Sequence, residues 1–168
     1  NMNPGTQSMI LRDVVDSLSR HKVPKLVILN SHGGNDFKQM IRELQPRYPD
    51  VFLCTVNWWQ IADQRNFFEE KDDHAGEMET SVMLGIAPDL VLPLSEAGSG
   101  KISPFKIKAL RERWAWTPRR WTQATTDTGA GNPPKATAEK GRKYLEIVTS
   151  ELADFLVELS KADGKNLY

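Results

Sequence analysis

Two of the chain's three histidines lie in short segments that also carry side chains able to bind a metal ion or move a proton. The first segment, residues 30–35, reads Asn-Ser-His-Gly-Gly-Asn, and the second, residues 73–81, reads Asp-His-Ala-Gly-Glu-Met-Glu-Thr-Ser. Imidazole nitrogen and carboxylate oxygen suit zinc or manganese, which can keep a coordination position open for a reactive water. Each segment alone is weak evidence, but together they indicate a metal-dependent hydrolytic site.

The histidine of the first segment, His32, follows an apolar run and precedes a predicted helix. In an open parallel sheet, ligands bind beyond the carboxyl ends of the strands, so this is a favourable position. Gly33 and Gly34 allow the backbone to approach a ligand closely. The alternative is a tight turn with a solvated histidine. A phosphate-binding loop is excluded because no Lys-Ser or Lys-Thr pair follows the glycines.

The second segment leaves open which acidic residue is the partner of His74. If His74 lies on a helix, Glu77 shares its face, whereas Glu79, five residues on, points elsewhere. If His74 lies in a loop just before the helix, Glu79 can reach the same site from the first turns. A third interpretation is structural: Asp73 caps the helix, and the two glutamates stabilise its positive end. Spacing alone favours Glu77.

Apolar periodicity predicts helices that alternate with short strands. Pro93 places the last strand at a sheet edge or a strand end. Because continuous apolar runs are typical of strands buried on both faces, the order of elements predicts an α/β fold with a mainly parallel sheet. Residues 57–71 are expected to form a loop with a short helical piece, and 95–135 a long surface excursion. The predicted helices cover 8–21, 36–45, 76–86 and 136–161, and the predicted strands cover 26–29, 51–56 and 90–94.

Length and composition limit the class of protein. With 168 residues and 39% hydrophobic content, the chain is expected to form one domain. Lys plus Arg and Asp plus Glu both number 22, which argues against nucleic acid or a membrane as partner and favours a small molecule. The single cysteine, Cys54, lies in an apolar run and is interpreted as a buried, inert thiol. Because the sequence contains neither a membrane-spanning run nor a signal-peptide pattern, we expect a soluble, cytoplasmic protein.

Six segments, in order along nearly the whole chain, resemble the creatininase (creatinine amidohydrolase) family. The resemblance implies a three-layer α/β/α sandwich with a two-metal centre, zinc with zinc or manganese, that hydrolyses a cyclic or linear amide C–N bond. It also implies a homo-oligomer, a hexamer in the family. The segments are P-G-T at 4–6, N-S-H-G-G-N at 30–35, D-x-H-A-G-E-x-E-T-S at 72–81, A-P-D-L-V at 87–91, T-G-A-G-N-P at 128–133 and A-T-A-E-K-G at 136–141.

The same resemblance assigns roles to individual residues. It implies that His32 and Glu79 are metal ligands and that His74 moves protons between water and the leaving nitrogen. Glu79 thus replaces Glu77, the residue that spacing favours. Two cations would polarise the amide carbonyl and yield hydroxide at neutral pH. Further residues are expected to contact a small amide substrate: Ser31, Gly33, Gly34, Trp58, Trp59, Asp73 and Glu77.

The chain departs from the creatinine-hydrolysing enzymes in two places. Those enzymes have an acidic metal ligand at the place of Gly34, which argues against creatinine as the substrate. The family also supplies a Glu, a His and an Asp from a strand and loop before the region where this chain starts. Residues 1–168 are therefore expected to form a single creatininase-like domain without that segment, and the preceding sequence to contain a Glu-x-His pair followed by an Asp.

Other functions within and beyond the family stay open. Relatives include formamido-pyrimidine nucleotide deformylases and peptide amidases. A non-catalytic member that binds a ligand or supports an oligomer through an incomplete metal site is a further alternative. Trp114, Trp116 and Trp121 either line the substrate pocket or pack in the core or an oligomer interface.

Overall fold

The computed structural model describes residues 2–70, 73–164 and 166–167. It divides into two compact units, one formed by Asn1–Ile61 with Ser150–Tyr168 and the other by Ala62–Thr149. The prediction of a single domain stays a prediction. The helices are α1 (Pro4–Arg20), α2 (Phe37–Leu44), α3 (Glu77–Ile86), α4 (Lys108–Arg111), α5 (Trp121–Ala124) and α6 (Ala138–Lys161), and the strands are β1 (Lys25–Asn30) and β2 (Phe52–Asn57).

The first unit is built on a parallel strand pair. β1 and β2 pair in register from Lys25 with Phe52 to Asn30 with Asn57, as the order of elements predicts. α2 connects them, and its N-cap Asp36 accepts a hydrogen bond from the Lys38 amide at 3.1 Å. The core consists of side chains from α1, α2 and the second strand region: Leu11, Val15, Met40, Leu44, Val51 and Leu53. The α/β class and the parallel sheet are thus confirmed.

Burial of the strands differs from the prediction. Leu26 and Ile28 pack against the core of the first unit, whereas Leu29 is 52% exposed. Full burial on both faces is therefore wrong for β1, because successive side chains of a strand alternate between faces and the core of this unit takes one set. Cys54 on β2 is half-buried, and this burial raises the pKa of its thiol, which keeps it protonated and unreactive at neutral pH.

The second unit contains α3 and most of the irregular backbone. α3 confirms the helix predicted over 76–86, but the strand predicted over 90–94 is wrong. Those residues lie in and between the 3-10 turns Pro88–Leu90 and Leu94–Glu96. Pro88 and Pro93 have no backbone N–H to donate to a sheet, and Leu90 is 78% exposed rather than buried.

The long excursion predicted over 95–135 holds only short helical pieces in the described residues: the end of the 3-10 turn Leu94–Glu96, α4, α5 and the 3-10 turn Pro133–Lys135. Two further 3-10 turns, Trp58–Gln60 and Gln64–Asn66, provide the helical piece expected in residues 57–71, of which Lys71 lies outside the described residues. Within the described part of the chain, each helix is too short or too polar to cross a membrane.

Close backbone packing holds α3 against the start of α6. Gly141 lies so near the Ser81 carbonyl that a methyl group in its place would overlap it. The Ser81 hydroxyl accepts a hydrogen bond from the Thr137 amide at 3.1 Å, and the Thr137 hydroxyl accepts one from the Lys140 amide at 3.2 Å. The A-T-A-E-K-G segment therefore begins a helix and fits it against α3. Tyr144, one turn further on, is fully buried and meets Phe67 and Phe68 edge-on.

Candidate active site

The first segment is organised by the buried side chain of Asn30. Its carboxamide oxygen accepts hydrogen bonds from the His32 amide and from the side-chain amide of Asn35, both at 3.1 Å. Its nitrogen donates to the Asn57 side chain at 2.9 Å. Since Asn30 and Asn57 are the last residues of the paired strands, one side chain joins both strand ends and shapes the loop that carries His32.

His32 is exposed, and its ring is tied to its own loop. Nδ1 accepts a hydrogen bond from the Gly34 amide at 3.0 Å, so the neutral ring carries its proton on Nε2 while this bond lasts. A Cβ on Gly34 would lie 2.9 Å from this ring, so a side chain there would require the His32 imidazole to rotate away. Ser31 and Gly33 are also exposed, and a Cβ added to Gly33 would come into ordinary contact with the Trp59 ring, at 3.9 Å.

In the second segment, the backbone around His74 is held by residues 130–131. The His74 amide donates to the Ala130 carbonyl at 3.0 Å, and the Ala130 amide donates back at 2.7 Å. The Glu77 amide donates to the Gly131 carbonyl at 2.6 Å. Ala75 lies between them in the left-handed region, with φ of 46°. His74 therefore stands in a loop, and α3 begins after it at Glu77 with Gly76 as N-cap.

This loop brings His74 next to Glu79. The Glu79 carboxylate accepts a hydrogen bond from the Ala75 amide at 2.6 Å and lies 4.0 Å from His74 Nδ1. Both side chains are about two-fifths exposed, so small molecules can reach them. Of the three interpretations of this segment, the structure matches the one in which His74 lies in a loop and Glu79 reaches it from the first turns of the helix.

Glu77 has a different environment, being fully buried. Its carboxylate accepts hydrogen bonds from the Glu69 amide at 2.9 Å and from the ammonium group of Lys140 at 2.6 Å. The bond to Glu77 also raises the pKa of Lys140. This geometry favours a structural role for Glu77 over contact with substrate. Sequence reasoning missed Lys140, although it lies in the A-T-A-E-K-G segment.

Asp73 does not cap α3, since Gly76 holds that position. Its carboxylate instead accepts a hydrogen bond from the Arg119 guanidinium at 2.5 Å. The same guanidinium lies 4.6 Å from the ring centroid of Trp121, and the Trp121 ring lies 4.9 Å from that of His74. Sequence reasoning placed Trp121 in the substrate pocket, the core or an oligomer interface, and did not foresee its contact with His74 or the bond between Arg119 and Asp73. Asp72, the first residue of the second family segment, lies outside the described residues.

The two remaining predicted substrate residues, Trp58 and Trp59, form a 3-10 turn directly after β2 and are half-buried. They belong to the first unit, as do Ser31, His32, Gly33 and Gly34, whereas Asp73, His74, Glu77 and Glu79 belong to the second. In the described residues, no group of three or more His, Cys, Asp or Glu side chains is arranged to hold a metal ion.

A cavity of about 450 Å³ opens beside Glu79 in the second unit. Its lining is mostly apolar, with acidic groups from Glu79, Glu96 and Asp127. Among the described residues that line it, none is Lys, Arg or His. The apolar part of the wall consists largely of Met83, Leu90, Val91, Leu92, Pro93, Leu94 and Pro133.

A parallel βαβ unit, with His32 after its first strand and with His74 in the loop ahead of the later helix that carries Glu79, defines an α/β protein. A model of the creatininase family, described as creatinine amidohydrolase, matches residues 1–156. The chain therefore belongs to the creatininase family.

Solved structures share the fold. A creatinine amidohydrolase homologue of Bacteroides fragilis NCTC 9343 matches with a TM-score of 0.92 and 47% identity, over 100% of this chain and 65% of that one. A crystal structure of creatinine amidohydrolase (creatininase) matches with a TM-score of 0.72 and 23% identity, over 97% of this chain and 66% of that one. The predicted creatininase-like fold is confirmed.

Two curated relatives carry functional names. Creatinine amidohydrolase of Pseudomonas putida is 26% identical over 185 residues, which cover 94% of this chain and 67% of the relative. Mycofactocin precursor peptide peptidase of Mycobacterium ulcerans (strain Agy99) is 30% identical over 128 residues, which cover 74% of this chain and 45% of the relative. The chain thus spans about two thirds or less of the length of these relatives.

Proposed function

We propose that the complete polypeptide is a divalent-metal-dependent amidohydrolase that breaks a cyclic or linear amide C–N bond with metal-activated water. The observation that carries the proposal is the position of His74, fixed by Ala130 and lying 4.0 Å from Glu79 in an exposed loop. Membership of the creatininase family supports it. So do the names of the two curated relatives, one an amidohydrolase and the other a peptidase.

In this proposal, His74 donates the proton to the leaving nitrogen. Both its backbone N–H and its backbone C=O are hydrogen-bonded to Ala130, so the imidazole is attached to a fixed main chain. A histidine suits the role because it exchanges protons near neutral pH. Glu79, the neighbouring carboxylate, keeps its predicted role as a metal ligand.

The two predicted ligands are of residue types that bind divalent cations. His32 and Glu79 offer imidazole nitrogen and carboxylate oxygen, which zinc and manganese accept. Solved creatininases include a variant named as a Zn–Zn type and one named for Mn. A bound cation would polarise the amide carbonyl and lower the pKa of a bound water. His32 must release the Gly34 amide to offer Nδ1, and two ligands are too few for a metal shell, so the proposal requires further ligands from other residues.

The cavity beside Glu79 narrows the substrate class. Its acidic side chains would repel the phosphate of a nucleotide, which disfavours a formamido-pyrimidine deformylase. Its apolar wall suits an uncharged or cationic amide with an apolar substituent. This favours a peptide amidase as the second candidate, in line with the 30% identity to a peptidase. The predicted cytoplasmic location and homo-oligomeric state stay predictions.

The test uses the complete polypeptide with its metal content measured by mass spectrometry. Hydrolysis is followed on creatinine, on N-acetylated dipeptides and on a formamido-pyrimidine nucleotide, with and without chelator. His74→Ala is expected to keep the metal and lose about 10²- to 10⁴-fold in turnover. Glu79→Ala is expected to lower metal content, and the exposed Glu139→Gln is the matched control.

Protein that binds neither zinc nor manganese, with hydrolysis indifferent to chelator, would contradict the metal-dependent enzyme and leave the non-catalytic alternative. Near-native turnover in both His74→Ala and Glu79→Ala would show that the assigned roles are wrong even if the enzyme is active.

A further inference from the structure

We propose that Trp121 and Arg119 are positioning residues that hold the His74 imidazole in its working orientation. The inference rests on the proposed function, in which His74 transfers a proton. The ring centroids of Trp121 and His74 are 4.9 Å apart and the rings are tilted by 53°. This is contact distance for two aromatic rings in a tilted arrangement.

Trp121 is itself held in place. The Arg119 guanidinium lies 4.6 Å from the Trp121 ring centroid, within the range of a cation–π interaction. Arg119 also donates to the Asp73 carboxylate at 2.5 Å. Because Asp73 precedes His74 in the chain, the contacts form a closed circuit: Asp73 to Arg119, Arg119 to Trp121, and Trp121 back to His74.

These contacts restrict the rotation of the His74 side chain, which the backbone contacts of His74 leave unrestricted. The bridge to Ala130 holds the main chain of His74 but does not restrict rotation of its side chain. Glu79, at 4.0 Å, lies beyond hydrogen-bond distance of Nδ1. Trp121 therefore packs against the imidazole in one orientation. A contact of this kind favours that rotamer of His74 over the others by about tenfold.

The anchoring of α5 supports a positioning role for this tryptophan in particular. Trp121 is the first residue of α5, its carbonyl accepts from the Thr125 amide at 3.0 Å, and the Ala124 carbonyl accepts from the Ser103 amide at 2.7 Å. Trp116, five residues earlier, is 85% exposed. It is therefore a matched control of the same residue type in the same stretch.

The test uses the complete, metal-loaded enzyme and its hydrolysis of creatinine and N-acetylated dipeptides. Trp121→Ala is expected to lower kcat about tenfold with a smaller change in KM, because the orientation of His74 and not substrate affinity is lost. Trp121→Phe is expected to recover most of kcat by restoring a ring. Arg119→Ala should lower kcat less than Trp121→Ala, and Trp116→Ala should leave it unchanged.

A second readout needs no activity. In protein labelled at the histidine rings, the His74 signal is identified by its loss in His74→Ala. Trp121→Phe is expected to move that signal, through the altered ring current, while the signals of His21 and His32 stay in place. This measurement covers the case in which Trp121→Ala does not fold.

The outcomes separate the two proposals. An inactive wild-type enzyme whose His74 signal responds to Trp121→Phe would reject the proposed function and keep the contact. An active enzyme in which Trp121→Ala retains wild-type kcat, or loses no more than Trp116→Ala, would overturn the positioning role. An unmoved His74 signal in Trp121→Phe would overturn the contact itself.

Discussion

The two histidine segments are held in place in different ways. Around His32, the ordering contacts come from the loop and the strand ends beside it, chiefly through Asn30. Around His74, they come from distant parts of the sequence, with Ala130 bridging the backbone and Trp121 contacting the ring. The first segment is thus ordered mainly within its own loop, with additional hydrogen bonds to Asn57 and from Gln7. The second takes its form from tertiary contacts.

In the second segment, two glutamates have different environments. Glu77 and Glu79 are two positions apart on α3. Glu77 is fully buried against Lys140, whereas Glu79 lies next to His74 and lines the cavity. A helix turns by about 200° over two residues, so neighbours at this spacing face opposite sides. Substitutions that remove one contact at a time test how much each segment depends on local and on distant contacts.

The largest effect is expected from Lys140→Ala, which leaves the buried Glu77 carboxylate without its cation. Removing one partner of a buried ion pair costs about 3–5 kcal/mol of unfolding free energy, and we expect a loss of about 3 kcal/mol here because Lys140 is partly exposed and Glu77 keeps its backbone donors. Urea unfolding of the variant measures this loss. Lys143→Ala, which breaks the exposed pair with Glu139, is the control and should leave stability nearly unchanged. Equal losses in the two variants would mean that the remote contact does not anchor the second segment.

In the first segment, Asn30→Ala removes the side chain that joins both strand ends. We expect a loss of about 2–3 kcal/mol, because three hydrogen bonds disappear and their partly buried partners at Asn35 and Asn57 lose them. Urea unfolding gives the value, with the exposed neighbour Ser31→Ala as control. A loss no greater than that of the control would show that the loop does not depend on Asn30.

Alkaline pH should weaken the packing around Tyr144 in the second unit. Burial raises the pKa of this phenol to about 12, from an ordinary value of 10.0. Between these values the unfolded chain releases the proton and the folded chain keeps it, so stability falls as pH rises. Lys140, whose pKa is also raised, acts in the same direction at high pH.

Unfolding measured from pH 9 to 12 separates the contribution of the tyrosine. Tyr144→Phe keeps the ring between Phe67 and Phe68 and is expected to reduce the pH slope by about one bound proton. An unchanged slope would contradict the burial of this hydroxyl.

The smallest effect is expected from Asp36→Ala, which removes the N-cap of α2 next to the first segment. A lost cap costs about 1 kcal/mol. Asp36→Asn retains a capping oxygen and should recover most of the stability in thermal unfolding. If the two variants are equally destabilised, charge and not the capping hydrogen bond explains the role of Asp36.

The accuracy of prediction along the chain follows the range of the interactions. α1, α2, α3 and α6 were predictable because apolar periodicity and caps are local signals. The third strand was not, because an apolar run at 90–94 resembles a buried strand unless its exposure is known. Likewise, the residue types of the candidate ligands could be predicted from the motifs. The contact between Arg119 and Asp73 could not, because it joins positions 46 residues apart.

By itself, the sequence determined the family, the parallel βαβ order and the residue types with which the site can act. Those properties depend on short segments and their order along the chain. Only the tertiary structure decided that Glu77 is a buried structural carboxylate, that Glu79 faces His74, and that a tryptophan packs on the imidazole. Burial and ion pairing depend on which distant residues meet, and the partner of Glu77 lies 63 positions away in another helix.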